Sequence, residues 1–179
     1  MQKNKAFFFD RDGVINYRIV DRYVTNTDEL HIFEEVYDVL KKIKSLGYLL
    51  VLITNQQGIG KGIYSHEELL IVHGHMQEHI FDRTGIKFDL IEYCPDLAHT
   101  KSNRRKPEPG MILDAAEKLN ISLEDSWMVG DSVKDTIAGK KAGCKTVFIS
   151  NEAKPPSADY EFPNLTNMIM FLMENKLIR

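Results

Sequence analysis

Five short apolar runs recur along the chain, and helical periodicity fills most of the intervals between them. The runs are AFFF (6–9), YLLVLIT (48–54), FDLIEY (88–93), SWMVG (126–130) and KTVFIS (145–150), and each reads as a buried strand. Between the first two, Val36, Val39, Leu40, Ile43 and Leu46 form one apolar stripe of a helix over 34–46 that Gly47 closes. Ser65 and Glu68 have capping-box spacing and open a helix running to about Thr84, before Gly85. Residues 111–120, 132–143 and about 165–176 give three more helices. Alternation of this kind builds an α/β fold, a doubly wound and mainly parallel Rossmann-like sheet with helices on both faces. A length of 179 residues suits one domain over 1–179. Residues 16–31 and 94–110 read as loops, and NEAKPPSADYEF (151–162) as a surface connection.

Composition removes several function classes. The net charge of −3 gives no support for nucleic-acid binding. The apolar run Ala6–Phe9 is too short for a secretory signal, and no run approaches the length of a membrane span. Cys94 and Cys144 imply no disulfide framework, so a reducing, cytoplasmic setting is expected.

The ends of the strands carry the chemistry. In a doubly wound sheet, ligands bind in the crevice at the carboxyl ends of the strands. Asp10 is the first polar residue after the first strand, and Asp12 follows two positions on. The second strand ends in Thr54-Asn55, and the fourth in Gly130-Asp131, with Asp135 close behind and Lys106 in the loop between. Taken alone, Asp12-Gly13 is ordinary turn chemistry. Taken together, these residues crowd several carboxylates on one edge, where a hard cation such as Mg²⁺ would hold them. The Thr54 hydroxyl, backbone N–H groups near Asn55 and the Lys106 ammonium can donate to phosphate oxygens beside that ion. One aspartate can then attack phosphorus while the other moves a proton to and from the leaving oxygen.

DRDGV (10–14), TN (54–55), RKPEPGM (105–111) and GDSVKD (130–135) resemble, in order, spacing and strand context, the haloacid dehalogenase superfamily of phosphatases. The resemblance implies Asp10 as nucleophile, Asp12 as general acid/base, and Lys106 as the group that neutralises the phosphoryl. It implies Thr54 and Asn55 as phosphoryl binders. It also implies Mg²⁺ on the Asp10 and Asp131 carboxylates and the Asp12 backbone carbonyl, with Asp135 in support. Asp12 favours a phosphatase over a dehalogenase, because an alkoxide leaving group needs a proton and a halide does not. The intervals before Thr54 and before Lys106 are consumed by predicted elements, which leaves no room for a large cap.

The segments 10–36, 53–69, YCP (93–95) and 105–111 narrow the likeness to the capless subgroup of heptose bisphosphate and histidinol phosphatases. A small sugar bisphosphate is the expected substrate, and histidinol phosphate the alternative. A catalytically silent phospholigand-binding protein is the reading from another class, and the intact Asp10, Asp12, Lys106 and Asp131 count against it. In that subgroup Arg105 would anchor substrate and Lys61 would reach the far end of the ligand. Lys101 and Arg104 offer further cations there, or form a solvated basic loop. Many subgroup members hold a structural Zn²⁺ with three cysteines and a histidine. Here the corresponding loop, 94–106, has Cys94 and His99, so no structural zinc is expected. HMQEH (75–79) matches a zinc-protease pattern but reads as the polar flank of a helix whose Leu69, Val72, Met76 and Ile80 face the core. GIGKG (58–62) lacks the spacing of a nucleotide loop and reads as a flexible turn, and Trp127 as core packing.

Overall fold

The computed structural model describes residues 3–150 and 158–179. Six parallel strands form one sheet: β1 (Ala6–Phe9), β2 (Leu49–Asn55), β3 (Leu90–Cys94), β4 (Trp127–Gly130), β5 (Lys145–Ile149) and β6 (Tyr160–Phe162). Their order is β3-β2-β1-β4-β5-β6. The order reverses at β1, which pairs with β2 on one side and β4 on the other. A crevice at the carboxyl end of β1 is the ligand position this topology creates.

The three phenylalanines of β1 account for the layering. Side chains alternate along a strand. Phe7 and Phe9 therefore enter one core layer with Trp127, and Phe8 enters the other with Met128. Phe7 stacks on Trp127 at 6.0 Å between centroids, so Trp127 is a core residue as expected. The first layer is covered by α1 (Glu34–Ser45), α3 (His66–Thr84) and α6 (Leu165–Glu174). The second is covered by α4 (Gly110–Lys118) and α5 (Val133–Ala142). Ser65 and Glu68 form the anticipated capping box, and Gly47 and Gly85 take left-handed φ values of 78° and 75° just past their helices.

Three expectations need correcting. The segment 151–162 is not purely a surface connection. Residues 160–162 pair with β5 and bury Phe162, while 151–157 lie outside the described residues. Gln57–Gly60 is a short helix, α2, rather than a flexible turn, and Gly58 is buried against the Tyr64 ring. The third strand begins two residues later than predicted, because Asp89 is drawn aside to accept from Leu50 N–H and Lys44. No helix among the described residues is long and apolar enough to cross a membrane.

Candidate active site

β1 ends at Phe9, and the Asp10 N–H continues its ladder by donating to Val129 O at 3.0 Å. That bond aims the next turn at the crevice. Asp10 Oδ1 accepts from the Arg11 N–H at 2.8 Å and faces Lys106 Nζ at 2.8 Å. Lys106 is buried, and its ammonium also meets Asp135 at 2.6 Å and Ile53 O at 2.8 Å. Burial alone would lower its pKa, but Asp10 and Asp135 outweigh it and hold the ammonium above its ordinary value. Asn55 carries Lys106 into place. Its amide donates to Lys106 O and accepts from Lys106 N–H, both at 3.0 Å, tying the end of β2 to the loop before α4.

Carboxylate oxygens of Asp10, Asp131 and Asp135 lie within 4.8 Å of one another. Burial raises Asp10 to about 6; Lys106 pulls down and the neighbouring carboxylates push up. Burial raises Asp131 further, to about 7, with the Asp10 charge adding to it. Carboxylates gathered this tightly hold protons until a cation replaces them. All the donors are oxygens, which suits a hard divalent ion such as Mg²⁺. The fit extends to the backbone: Gly13 has φ 94°, and a Cβ there would stand 1.9 Å from Asp131 Oδ2, so this turn can approach the carboxylate because it lacks a side chain. Among the described residues no other group of three potential metal ligands occurs. His75 is exposed and His79 pairs with the Tyr37 hydroxyl, which leaves HMQEH as the flank of α3.

Asp12 points into a different environment. Its carboxylate accepts from Arg11 Nη2 at 2.9 Å, Asn16 Nδ2 at 3.0 Å and Gln56 Nε2 at 3.2 Å. Burial would raise its pKa, but Arg11 and these hydrogen bonds win and hold it below the ordinary value. Arg11 is fully buried and lies 3.3 Å from His73 Nε2. Burial, with the Arg11 charge beside it, pushes His73 down to about 3, so it stays neutral. No sequence motif singles out Arg11, Asn16, Gln56 or His73. A charged residue between two aspartates reads as a solvated side chain, and the one available signal was its position inside DRD.

Thr54 is buried, and its hydroxyl accepts from Gln56 Nε2 at 2.9 Å. Asp10, Asp12, Thr54, Asn55, Lys106 and Asp135 all line one cavity of about 600 Å³. Lys61 and Arg105 line it as well. Arg105 is held by Asp96 O at 2.9 Å and Gln57 Oε1 at 3.1 Å. Lys61 is exposed, with Nζ 5.5 Å from the Tyr23 ring centroid. Arg18, Arg22 and Lys134 line the same cavity and were not anticipated. Arg104, by contrast, is spent on Glu92 and Asp114, and it does not line the cavity; neither does Lys101. In the 94–106 loop Cys94 is buried, its Sγ 3.4 Å from Asp96 Oδ2 and 3.7 Å from Ser102 Oγ, while His99 is exposed.

Comparison with known proteins converges on this arrangement. The family model for haloacid dehalogenase-like hydrolases matches residues 4–143. The chain is 37% identical over 172 residues to a D-glycero-beta-D-manno-heptose-1,7-bisphosphate 7-phosphatase of Helicobacter pylori, covering 94% of this chain and 98% of that one. It is 32% identical over 176 residues to a Campylobacter jejuni protein named for the alpha form of the same sugar, covering 98% and 99%. A crystal structure of a D,D-heptose 1,7-bisphosphate phosphatase from B. bronchiseptica, complexed with magnesium and phosphate, superposes with a TM-score of 0.85 at 26% identity, covering 96% and 99%. With the sheet order, the carboxylate edge and the sequence match in agreement, the chain belongs to the haloacid dehalogenase-like hydrolases, as a capless phosphatase.

Proposed function

We propose that the protein removes the 7-phosphate of D-glycero-D-manno-heptose 1,7-bisphosphate through a phosphoryl group carried on Asp10. The observation that carries the substrate is the near end-to-end match to relatives named for that reaction. The chemistry rests on the carboxylate edge. Asp10, Asp131 and the Asp12 carbonyl would hold Mg²⁺, with Asp135 in support, and the ion would supply charge neutralisation for the phosphoryl oxygens.

The chain's own residues divide the remaining work. Lys106 and the Arg11 N–H hold Asp10 Oδ1, leaving Oδ2 to attack phosphorus. The bond from phosphorus to the sugar oxygen breaks, and that oxygen takes a proton from Asp12. Because Arg11 keeps Asp12 ionised before substrate arrives, this proton enters with the phosphomonoester, whose second ionisation lies near pH 6. Asp12, again a carboxylate, then takes a proton from water. The water oxygen attacks phosphorus, breaking its bond to Asp10 and releasing inorganic phosphate. Thr54 and Lys106 donate to the phosphoryl oxygens, while Asn55 serves mainly to hold Lys106. Arg105 and Lys61, which line the same cavity, would meet the non-transferring end, where a pair of cations suits a second phosphate.

Ranking kcat/KM over the heptose bisphosphate in both anomeric forms, the matching 7-monophosphate and histidinol phosphate tests the assignment. A charge-assisted contact to the second phosphate should favour the bisphosphate by roughly ten- to a hundredfold. A higher kcat/KM for histidinol phosphate would overturn the substrate and leave the phosphatase chemistry standing.

A further inference from the structure

Arg18, in the loop after the catalytic turn, donates from Nη2 to Asp131 Oδ1 at 2.8 Å and to Asp12 O at 3.0 Å. The Asp12 carbonyl and the Asp131 carboxylate are both groups that the proposed function gives to the metal, and the inference rests on that reading. The local charge balance explains the guanidinium's position. Arg11 is paired with Asp12, and Lys106 with Asp10 and Asp135, whereas the ion pair of Asp131 goes to Arg18. Arg18 thus supplies the cation that the other two basic residues do not bring to Asp131.

A metal bound there would compete with it. Mg²⁺ on the same two oxygens would draw on the lone pairs that the guanidinium nitrogen, 2.8–3.0 Å away, now uses, and the two carry like charge. Arg18 is free to leave: its side chain is 51% exposed and its loop lies on the cavity wall. We propose that Arg18 is a built-in counter-cation of the metal-free centre, displaced when a divalent cation binds, so that metal loading and the conformation of the 16–31 loop are linked. Linkage makes the effect reciprocal: whatever holds Arg18 inward weakens the metal.

Calorimetric titration of the metal-free full chain with MgCl₂ tests this without reference to turnover. Arg18→Gln should bind Mg²⁺ about twofold to fivefold more tightly than wild type, the range expected for a half-exposed ion pair. In wild type, an arginine-selective dicarbonyl reagent should modify Arg18 faster with Mg²⁺ than without. Unchanged or weaker Mg²⁺ binding by Arg18→Gln, or modification indifferent to Mg²⁺, would overturn the inference while leaving the metal reading intact. If wild type binds no Mg²⁺, or Asp131→Asn binds it equally well, the metal reading fails and the inference falls with it.

Discussion

At the scale of the residue, one cluster of carboxylates answers to three different cations. Lys106 holds Asp10 and Asp135, Arg11 holds Asp12, and Asp131 is left with a half-exposed guanidinium. The result is visible in the acidities: Asp12 lies below its ordinary value, while burial lifts Asp10 to about 6 and Asp131 to about 7. The sign of the linkage follows. An aspartate whose folded pKa exceeds its unfolded one keeps protons that the unfolded chain has released, so metal-free stability falls as pH rises through about 4 to 7. For Asp131 alone the ceiling is about 4 kcal/mol, at about 1.4 kcal/mol per pKa unit. A divalent cation favours the ionised carboxylates and removes that loss. Stabilisation by Mg²⁺, read as the difference in Tm with Mg²⁺ and with chelator, should therefore grow from pH 4.5 to about 7 and then level off. The neutral, buried His73 has the opposite dependence, losing stability below about pH 6.5, but it contributes equally to both arms and cancels. A Tm difference that does not change over this range would contradict the proposed metal site.

At the scale of the element, the turn after β1 does more than connect. Asp10 and Asp12 lie two positions apart yet meet different partners, Lys106 and Arg11, and directly after them the chain turns at Gly13, whose N–H donates to Asn16 O at 2.7 Å. That turn also brings the backbone against Asp131 across the β1–β4 junction. Gly13→Ala should therefore cost twice: strain from φ 94°, and displacement of Asp131 by a Cβ that would stand 1.9 Å from its Oδ2. Gly62→Ala, at φ 70° with nothing within 4 Å of the added carbon, isolates the first cost. Gly62→Ala should lose on the order of 1–2 kcal/mol of stability, and Gly13→Ala more than that. Gly13→Ala alone should also weaken Mg²⁺ binding, by at least about tenfold if one carboxylate ligand shifts away. Equal Mg²⁺ affinity in the two variants would show that the close approach at Gly13 is unimportant to the metal site.

At the scale of the whole molecule, the strand–helix alternation was legible because apolar runs and caps are local signals, and both the capping box at Ser65 and the closing glycines form as read. Strand β6 was not legible. It has three residues and gains its place from pairing with β5 and from the burial of Phe162, neither of which its own pattern announces. The carboxylates, Thr54 and Asn55 were legible from the strand ends, while the loop cations Arg18, Arg22 and Lys134 on the cavity wall and the support beneath the site were not. Arg11 reaches His73, 62 positions away, and Arg104 is neutralised by Glu92 and Asp114, pairings that only the folded topology creates. These pieces support a route in which one phosphoryl group passes from the substrate to Asp10 and then to water. The direct measurement is a rapid-quench experiment with heptose 1,7-bisphosphate radiolabelled at the 7-phosphate, comparing wild type with Asp10→Asn in the presence of Mg²⁺. Label should pass through the peptide containing Asp10 and emerge as inorganic phosphate, the 1-phosphate staying on the sugar, with Asp10→Asn taking up no label. Label released at a comparable rate by Asp10→Asn, or loss of the 1-phosphate while the labelled 7-phosphate stays on the sugar, would contradict it.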